Sequence, residues 1–380
     1  MTETMKKDKN PTDNLSDKSV AVIILNWNGE RLLPEFLPKV IAATNGAVAD
    51  VIVADNGSTD NSLELLRRDF TQVKLLCLDR NYGYAEGYNI AISRCEYEYV
   101  VLLNSDVAPA PGWVEPLLDY CNKHPEVAAL QPKLLSYSDP TRFEYAGAAG
   151  GYIDCHGYPY CRGRLFDTVE IDAGQYDQTD VSIAWASGAA LFVRRSVYLQ
   201  AGGLDRLFFA HMEEIDLCWR IHRLGGDIRY VPQSTIYHLG GGSLPADNPR
   251  KTYLNFRNNL LLLYKNLPKR QGRRIIFVRR LYDTLAFAVF VAKAPVALVT
   301  GNRHEASLAI ANARAVLRAH RHFRRMRSNY SPATDLPSDA STVAMLSPVN
   351  IIIEYNLRRH RTFSQLTGQN AKTVCQQDCK

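Results

Sequence analysis

Runs of apolar, mostly β-branched residues recur along the first third of the chain and alternate with amphipathic stretches. Residues 20–25 read VAVIIL. Three similar runs follow, at residues 51–54, 73–78 and 99–103. An unbroken apolar run of this length is typical of a strand buried on both faces of a parallel sheet. Helical spacing of apolar side chains separates the runs, at residues 30–43, 61–70 and 88–94. This alternation predicts a doubly wound, mostly parallel α/β sheet.

Polar side chains follow the predicted strands at the point where each strand ends. These ends carry Asn26, Asp55 and Asp106. Ligands of open α/β sheets bind beyond the carboxyl ends of the strands. We therefore expect a ligand site at this edge of the sheet.

The later part of the chain is less regular and predicts shorter elements. Residues 134–179 are rich in Gly and Tyr and suggest hairpins and loops. Further strands are expected at residues 189–193, 228–231 and 235–238, and helices within residues 208–224, 253–263 and 305–327. A short apolar run at residues 349–353 is expected to dock back on the protein.

The patterns divide the chain into four parts. Residues 1–18 are polar and expected to be disordered, and residues 19–265 form the α/β domain. Residues 266–328 form a basic and apolar helical segment, and residues 329–380 a polar tail.

Composition excludes several classes of protein. The chain has 380 residues, of which 46% are hydrophobic and 22% charged, as in an ordered globular protein of two or three domains. The eight cysteines form no CxxC pair, so a zinc ribbon is disfavoured. No apolar stretch follows the Lys-rich start, so a secretory signal is not expected and the cysteines are interpreted as reduced and cytoplasmic.

The net charge of +6 conceals a strong asymmetry. Residues 265–327 contain 15 of the 45 Lys and Arg but only 2 of the 39 acids, a local charge of +13, which leaves −7 for the rest. Such a segment seeks an anionic surface. An anionic membrane surface is the favoured partner. Nucleic acid is disfavoured because no aromatic residues interleave the arginines. The apolar stretch 284–300 contains Lys293 and is too short to span a bilayer, so an interfacial or buried helix is expected.

Candidate chemistry is carried by a few polar motifs, each of which also has a purely structural interpretation. Neither a P-loop nor a G-x-G-x-x-G motif follows the first strand. Asp55 could accept a hydrogen bond from a base or a ribose, or it could cap the next helix together with Ser58. Asp106 could hold a divalent metal against a diphosphate, or it could serve a turn.

The remaining candidates lie further along the chain. The glycine loop at residues 83–87 could contact a phosphate or form a plain turn. Acids crowd at Glu213, Glu214 and Asp216, where one could act as a general base or all could favour a helix N-terminus. His238 precedes a glycine run and is either a metal ligand or structural.

Seven ordered motifs join these signals: LNWNG, DNGSTDNS, RNYGYAEGYN, LLNSDV, WASGAALFVRR, HMEEIDLCWR and IYHLGGGS, followed by RNNLLLLYKN. In this order they resemble the family 2 glycosyltransferases, most closely the bacterial rhamnosyltransferase-like branch. The resemblance covers residues 20–268, about two-thirds of the chain.

The resemblance implies a GT-A fold, in which a nucleotide-binding half is fused to an acceptor-binding half, here with basic and apolar C-terminal helices. It implies that Glu214 is the catalytic base and that Asp106 and His238 hold a divalent cation, Mg²⁺ or Mn²⁺. Nucleotide-sugar contacts are implied for Asn26, Asp55, Gly83, Asn104 and Ser105. Residues implied to lie near the sugar and the acceptor are Trp185, Ser187, Gly188 and Glu213.

Two positions depart from the family pattern. Asn104 replaces the first acid of the D-x-D metal motif, which lowers the negative charge of the site. Glu214 replaces the more frequent Asp and is one methylene longer. A catalytically silent nucleotide-sugar-binding or scaffold subunit of a polysaccharide assembly complex is therefore kept as an alternative.

The function implied is inverting transfer of a sugar from a nucleotide-diphosphate donor, such as dTDP-rhamnose or a UDP-sugar. The acceptor would be a hydroxyl of a glycan or lipid-linked molecule in cell-surface polysaccharide biosynthesis. Such an enzyme is expected in the cytoplasm, peripheral to the inner face of the cytoplasmic membrane.

Overall fold

The structure is a computed structural model, and it describes residues 19–178, 180–240, 248–330 and 345–366. The predicted lead-in at residues 1–18 and much of the predicted polar tail lie outside the described residues.

Four parallel strands form the nucleus of the main sheet. They are β1 (Val20–Asn26), β2 (Ala49–Asp55), β3 (Lys74–Cys77) and β4 (Tyr99–Leu103). Strand β1 is the central one, because β2 and β4 pair with it on either side and β3 pairs with β2. All five residues of β4 and six of the seven residues of β1 are buried, as the unbroken apolar runs predict. The four expected strands are confirmed.

The sheet continues beyond β4 with strands of mixed direction. These are β5 (Val107–Pro109), β6 (Val127–Ser136), β11 (Val181–Ser182), β12 (Ala190–Arg194) and β13 (Asp227–His238). Strand β12 runs antiparallel between β4 and β6, and β13 pairs parallel with β6. The two strands expected at residues 228–231 and 235–238 are one strand, because β13 continues through a register shift between Val231 and Thr235.

Helices cover both faces of this sheet, which confirms the expected α/β class. They are α1 (Leu33–Ala43), α2 (Ser62–Asp69), α3 (Gly83–Ser93), α4 (Val114–Lys123), α5 (Arg195–Gln200) and α6 (Glu213–Arg223). Residues 83–87 were expected to form a glycine loop, and this expectation is wrong. They form the first turns of α3, because Ala85 and Gly87 are buried on the side of the helix that faces the sheet.

A smaller antiparallel sheet occupies the region predicted as hairpins and loops. Its strands are β7 (Gly151–Ile153), β8 (Pro159–Cys161), β9 (Arg164–Leu165) and β10 (Thr168–Val169). Residues 345–366, including α10 (Ile351–Asn356), pack on this sheet. The Ser347 N–H donates to Ile153 O over 2.7 Å, and the Phe363 ring lies 5.5 Å from that of Tyr152. The predicted docking of the apolar run at residues 349–353 is confirmed.

Three helices follow the main sheet. They are α7 (Pro249–Asn266), α8 (Lys269–Val299) and α9 (Arg303–Met326), and a 3₁₀ turn (Arg327–Asn329) ends the last. Helix α8 has 31 residues and starts well before the apolar stretch from which it was predicted. Within the described ranges, no helix combines the length and the apolar character needed to cross a membrane.

Buried charges join α8 to α9. The Arg279 guanidinium donates to Asp283 Oδ1 over 2.9 Å within α8, and His320 of α9 lies 2.9 Å from the other carboxylate oxygen. Asp283 is 1% exposed. Burial opposes its ionisation, but Arg279 and His320 outweigh that effect and lower the pKa of Asp283. The pairing therefore fixes how the two basic helices sit against each other.

Replacing Asp283 by Ala should destabilise the protein, because it leaves the buried Arg279 guanidinium without its counter-charge. Breaking a buried pair in this way costs about 3–5 kcal/mol, so we expect the free energy of unfolding in urea to fall by that amount. Thr284→Ala on the exposed side of the same helix is the control and should change it by less than about 0.5 kcal/mol. Equal effects of the two substitutions would contradict the structural role of Asp283.

Candidate active site

Asn26 and Asp55 meet where β1 and β2 end. The Asn26 side-chain amide donates to Asp55 Oδ2 over 2.9 Å, and both residues are buried. Ser58 donates to the same carboxylate through its hydroxyl over 2.6 Å and its backbone N–H over 3.0 Å. Asn61, and not Asp55, is the N-cap of α2, so the capping alternative for Asp55 does not hold. Asn26 Oδ1 is buried and accepts no hydrogen bond from any described residue, which leaves an acceptor beside a carboxylate.

The start of α3 is tied to this pocket. Asn56, directly after Asp55, donates to Gly83 O over 3.0 Å and accepts from the Tyr82 N–H over 2.9 Å. Gly83 has φ of +79°, a backbone conformation that favours glycine. The predicted contact residue Gly83 thus lies next to the Asp55 pocket through hydrogen bonds of its main chain.

A second group of polar side chains lies where β4 and β13 end. The Asp106 carboxylate is 3.1 Å from His238 Nε2, and the Asn104 amide nitrogen is 3.4 Å from the same ring atom. On the other side of the ring, Glu144 Oε1 is 3.4 Å from His238 Nδ1. Ser105 is half-buried between Asn104 and Asp106. The structure therefore brings the two predicted metal ligands into direct contact.

Charge in this second group is finely balanced. Burial favours the neutral imidazole of His238, but Asp106 and Glu144 outweigh it and raise the pKa of His238 to about 10. Burial likewise opposes ionisation of Asp106, and the His238 contact outweighs it and lowers the pKa of Asp106.

The donor set of this group fits a divalent cation. One carboxylate, one imidazole and one amide are ligands that Mn²⁺ accepts, and diphosphate oxygens can supply the rest. Asp106 and His238 Nε2 would hold the cation, because they already face the same point. Glu144 on the Nδ1 side would orient the ring, as a carboxylate commonly does for a metal-binding histidine.

Three acids of α6 have different surroundings. Asp216 is 2.8 Å from both Arg220 and Lys265, so it is a structural ion pair. Glu213 and Glu214 stand at the first turn of the helix, and neither forms an ion pair with a Lys or Arg of the described ranges. Burial raises the pKa of Glu214 to about 7 although nearby backbone N–H groups oppose this rise, and burial together with the Glu214 charge raises the pKa of Glu213 well above normal. Glu214 can therefore accept a proton near neutral pH, as a general base must.

Tyr84 and Gly188 lie between Glu214 and the polar group around Asp106. The Tyr84 hydroxyl donates to Gly188 O over 2.9 Å and lies 3.4 Å from Asn104 Oδ1. A Cβ on Gly188 would sit 3.1 Å from that hydroxyl and 3.6 Å from the Glu214 Cβ, so only glycine fits comfortably between them. Gly188 thus stands beside the predicted base, and Tyr84 joins Gly188 to Asn104.

The two other predicted residues of the WASG motif, Trp185 and Ser187, contact the surrounding fold. Trp185 is 3% exposed, donates its indole N–H to Tyr152 O over 3.0 Å and packs on Gly151. Ser187 is also 3% exposed, and its hydroxyl donates to Ala146 O over 2.6 Å. Their described contacts are therefore with the fold that holds Gly188 in position.

The two groups share one edge of the sheet. Strand β1 lies between β2 and β4. The ends of β2 and β4 are thus two strand spacings apart, roughly 10 Å. A nucleoside diphosphate can bridge such a distance, with its base at Asp55 and its phosphates towards Asp106.

The loop before α6 is strained and is held by α7. Three residues of this loop have a left-handed backbone conformation: Phe209, His211 and Met212. Non-glycine residues adopt this conformation only when their surroundings enforce it. The side-chain amide of the fully buried Asn258 supplies this enforcement. It donates to three loop carbonyls, those of Phe208 at 3.0 Å, Ala210 at 2.8 Å and His211 at 2.7 Å.

Arg257 completes this clamp. Its guanidinium donates to Phe208 O over 2.6 Å and to Asn258 Oδ1 over 2.8 Å, which fixes the orientation of the Asn258 amide. The RNN motif therefore positions the turn from which Glu214 projects.

One cluster of metal-type side chains lies elsewhere. Asp154, Cys155 and His156 come together in the turn between β7 and β8. The Asp154 carboxylate accepts backbone N–H groups from His156, Tyr158 and Ile351, so it serves to build the turn.

Sequence reasoning missed Glu144, Tyr84 and the role of Asn258. Glu144 lies in the Gly- and Tyr-rich stretch, where no periodic pattern marks any residue. Tyr84 stands inside the RNYGYAEGYN motif and Asn258 inside RNNLLLLYKN, so the motifs contain both residues without indicating which space they face.

Comparison with known proteins identifies the family of the domain that contains these strands. The sequence profile described as Glycosyl transferase family 2 matches residues 21–186, which include the Asp55 pocket and the Asp106 position and end within the WASG motif. Residues 21–186 form a family 2 glycosyltransferase domain.

Named relatives of this transferase come from several bacteria. It is 29% identical over 244 residues to N-acetylglucosaminyl-diphospho-decaprenol L-rhamnosyltransferase of Mycobacterium tuberculosis, covering 60% of this chain and 78% of the relative. It is 25% identical to dTDP-rhamnosyl transferase RfbF of Shigella flexneri, covering 63% and 79%. The expected resemblance to rhamnosyltransferases is confirmed, and so is the expectation of an enzyme.

Among solved structures, the transferase matches the mannosyltransferase PcManGT from Pyrobaculum calidifontis, in complex with GDP-Man and Mn²⁺. The TM-score is 0.47 at 14% identity, and the match covers 80% of this chain and 87% of that one. The main sheet found here, with a parallel nucleus and helices on both faces, agrees with the expected fold class.

The raised pKa of Glu214 predicts how transfer depends on pH. The carboxylate form exists above about pH 7 and is lost as the pH falls through that value. We expect kcat/KM to fall about tenfold per pH unit below pH 7 and to level off above it. The facing groups Glu213, Tyr84 and Cys218 all have raised pKa values, so the tyrosine and the thiol stay neutral over this range.

The variant that tests this role of Glu214 is Glu214→Gln, which should abolish transfer and keep donor binding. Glu126→Gln, at a side chain 66% exposed, is the control and should keep the wild-type pH profile. Transfer rates are measured from about pH 5.5 to about pH 8.5, roughly one and a half units on either side of the pKa of Glu214. A flat wild-type profile would contradict the assignment of Glu214.

Removing the Asn258 amide should slow transfer without weakening donor binding. In Asn258→Ala the three loop carbonyls lose the amide group that they share as donor and Glu214 loses its fixed position, so we expect kcat to fall about 10- to 100-fold. Asn259→Ala is a matched control, because the adjacent amide bonds Gly157 O over 2.5 Å and not the loop. Both variants should lose about 1–3 kcal/mol of stability, but the control should keep kcat within about threefold. An equal loss of kcat in the Asn258→Ala and Asn259→Ala variants would contradict a specific role of Asn258 in positioning Glu214.

Proposed function

We propose that the transferase moves one sugar from a nucleotide-diphosphate donor to an acceptor hydroxyl with inversion at the anomeric carbon. The observation that carries this proposal is the position of Glu214. It is a half-buried carboxyl with a pKa raised to about 7, next to Gly188 and Tyr84, and Tyr84 in turn reaches the group around Asp106.

The nucleotide of the donor would bind in the Asp55 pocket. The Asp55 carboxylate and the unpartnered Asn26 Oδ1 are acceptors for base N–H and ribose hydroxyl groups. Gly83 would contribute through its main chain at the start of α3. The Shigella flexneri relative is named as a dTDP-rhamnosyl transferase, which supports dTDP-rhamnose as the donor, with a UDP-sugar as the other candidate.

A divalent cation, Mg²⁺ or Mn²⁺, would be held by Asp106 and His238, with Ser105 and Asn104 lining the same place. When bound, it supplies positive charge for the diphosphate that leaves. Asn104 is neutral where the family pattern has an acid, so this chain holds the cation with less negative charge of its own.

Glu214 would take the proton from the acceptor hydroxyl while that oxygen attacks the anomeric carbon. The new glycosidic C–O bond forms on the face opposite the leaving diphosphate oxygen, whose bond to the carbon breaks. One displacement inverts the configuration. The Arg257 and Asn258 clamp keeps Glu214 in line, and such positioning provides much of the rate acceleration. Glu213, buried beside Glu214, lies in the same region as Gly188 and would shape the acceptor side.

The acceptor would be a glycan or a lipid-linked molecule of cell-surface polysaccharide biosynthesis. The Mycobacterium tuberculosis relative is named for a diphospho-decaprenol acceptor. The basic helices α8 and α9 support association with an anionic membrane surface, because each Lys or Arg near such a surface contributes about 1 kcal/mol. We therefore place the enzyme at the inner face of the cytoplasmic membrane, as a peripheral protein.

Donor and metal binding can be tested together by thermal shift with a panel of nucleotide sugars. A ligand at 100 times its dissociation constant stabilises a protein by about 2.7 kcal/mol, which is readily detected. We expect one donor to bind more tightly with Mg²⁺ or Mn²⁺ than without.

Asp106→Ala should remove the metal-dependent part of this shift and abolish transfer. Asp139→Ala, at an exposed carboxylate whose hydrogen bonds are local, is the control and should keep both. A folded wild-type protein that binds no donor would overturn the proposed transfer, and a donor shift that ignores metal would overturn the cation site.

A further inference from the structure

A groove of about 760 Å³ lies between α8, α9 and the end of α7, away from the carboxylates of the active site. Its floor is apolar and includes Leu267, Ile276 and Phe323, and its rim is basic. The basic rim consists of Lys269, Arg273, Arg280, Arg324 and Arg327. No acidic residue lines the groove among the residues that the structure describes.

The five rim cations repel one another and find no counter-charge nearby. Within the described ranges, none of them forms an ion pair, whereas buried Arg279 of the same helix pairs with Asp283. Like charges gathered around one concave surface create a positive potential that an anion relieves. The groove therefore has the electrostatics of a site for an anionic group.

An exposed apolar stripe on α8 begins at the groove. Its members are Phe277 (65% exposed), Leu281 (57%), Leu285 (61%), Val289 (46%), Val296 (64%) and Val299 (89%). Their spacing keeps them within about a third of the helix circumference. Phe277 belongs to both the stripe and the groove. A ligand that satisfies both surfaces must have an anionic head and an apolar body.

Helix α7 links this surface to the site of transfer. Near its start Arg250 lies over the Phe209 ring of the catalytic loop, with ring centroid and guanidinium 5.0 Å apart, and near its end Tyr264 lines the groove. The 18 residues of α7 span about 27 Å. The groove is therefore a separate site, held at a fixed distance from Glu214.

We propose that this groove binds the phosphate-bearing headgroup of an anionic phospholipid, with the acyl chains along the apolar stripe. The proposal deepens the membrane association proposed above and rests on it. It names one groove as the lipid site, in place of a diffuse attraction of all basic residues to the membrane.

The test compares two triple variants of the full chain that have the same net charge. The groove variant is Arg273→Gln, Arg324→Gln, Arg327→Gln, and the control is Arg270→Gln, Arg274→Gln, Arg325→Gln, which removes three exposed arginines that do not line the groove. Partition to vesicles of phosphatidylglycerol in phosphatidylcholine is measured by co-sedimentation. A cooperative thermal unfolding transition at the wild-type temperature confirms that both variants are folded.

Three soluble probes then identify the ligand. They are short-chain phosphatidylglycerol below its critical micelle concentration, inorganic phosphate and a single-stranded oligonucleotide. We expect the groove variant to lose vesicle partition at least about tenfold more than the control, since both lose the same charge. Short-chain lipid should bind the wild type at least about tenfold more tightly than inorganic phosphate, because only the lipid reaches the apolar stripe.

Equal losses in the two variants would overturn the groove and leave a diffuse membrane attraction. Equal binding of phosphate and lipid would show an anion site only, and preferred binding of the oligonucleotide would show a nucleic-acid site. Vesicle binding confined to the groove together with failure of every nucleotide sugar would sustain this inference and overturn the proposed transfer alone.

Discussion

The structure depends on one constraint, which is that β1, β2 and β4 run parallel and end at the same edge. The apolar runs of these strands are buried, so the polar side chains that follow each run lie at that edge. Asn26 and Asp55 are brought into contact there, and Asn104 follows β4 at the same edge. The Asp55 pocket and the position of Asp106 follow from this common edge, whereas His238 and Glu144 reach the Asp106 group from later parts of the chain.

The carboxylate that we propose as the catalytic base has a different origin. Glu214 belongs to the second half of the chain and reaches the edge through a loop whose backbone is left-handed at Phe209, His211 and Met212. A loop of this kind holds only if buried donors satisfy its carbonyls, and the Asn258 amide nitrogen lies within hydrogen-bond distance of three of these carbonyls. The same burial that fixes the loop desolvates Glu214 and raises its pKa to about 7. Packing of this region thus affects both the position of Glu214 and its pKa.

Helix α7 serves both halves of the molecule. Its Arg257 and Asn258 face the catalytic loop, while Thr252 and Tyr253 contact Asn312 and His322 of α9 at 2.7 Å each. The basic C-terminal helices are therefore packed against the element that positions the base. This packing gives the groove and the active site a fixed relation, which suits an enzyme whose acceptor is presented at a surface.

The sequence by itself determined the strands, the polar edge and the acids of α6, because strand burial and helix periodicity are local properties that apolar patterns report directly. The family motifs added the roles of Asp55, Asp106 and Glu214 as expectations. Only the tertiary structure decided that residues 83–87 are helical, that Trp185 and Ser187 are core residues and that Glu144 stands beside His238. Those outcomes depend on which distant segments pack together. Packing also decides desolvation, so the pKa of Glu214 and the unpaired charges of the groove could not be read from residue order.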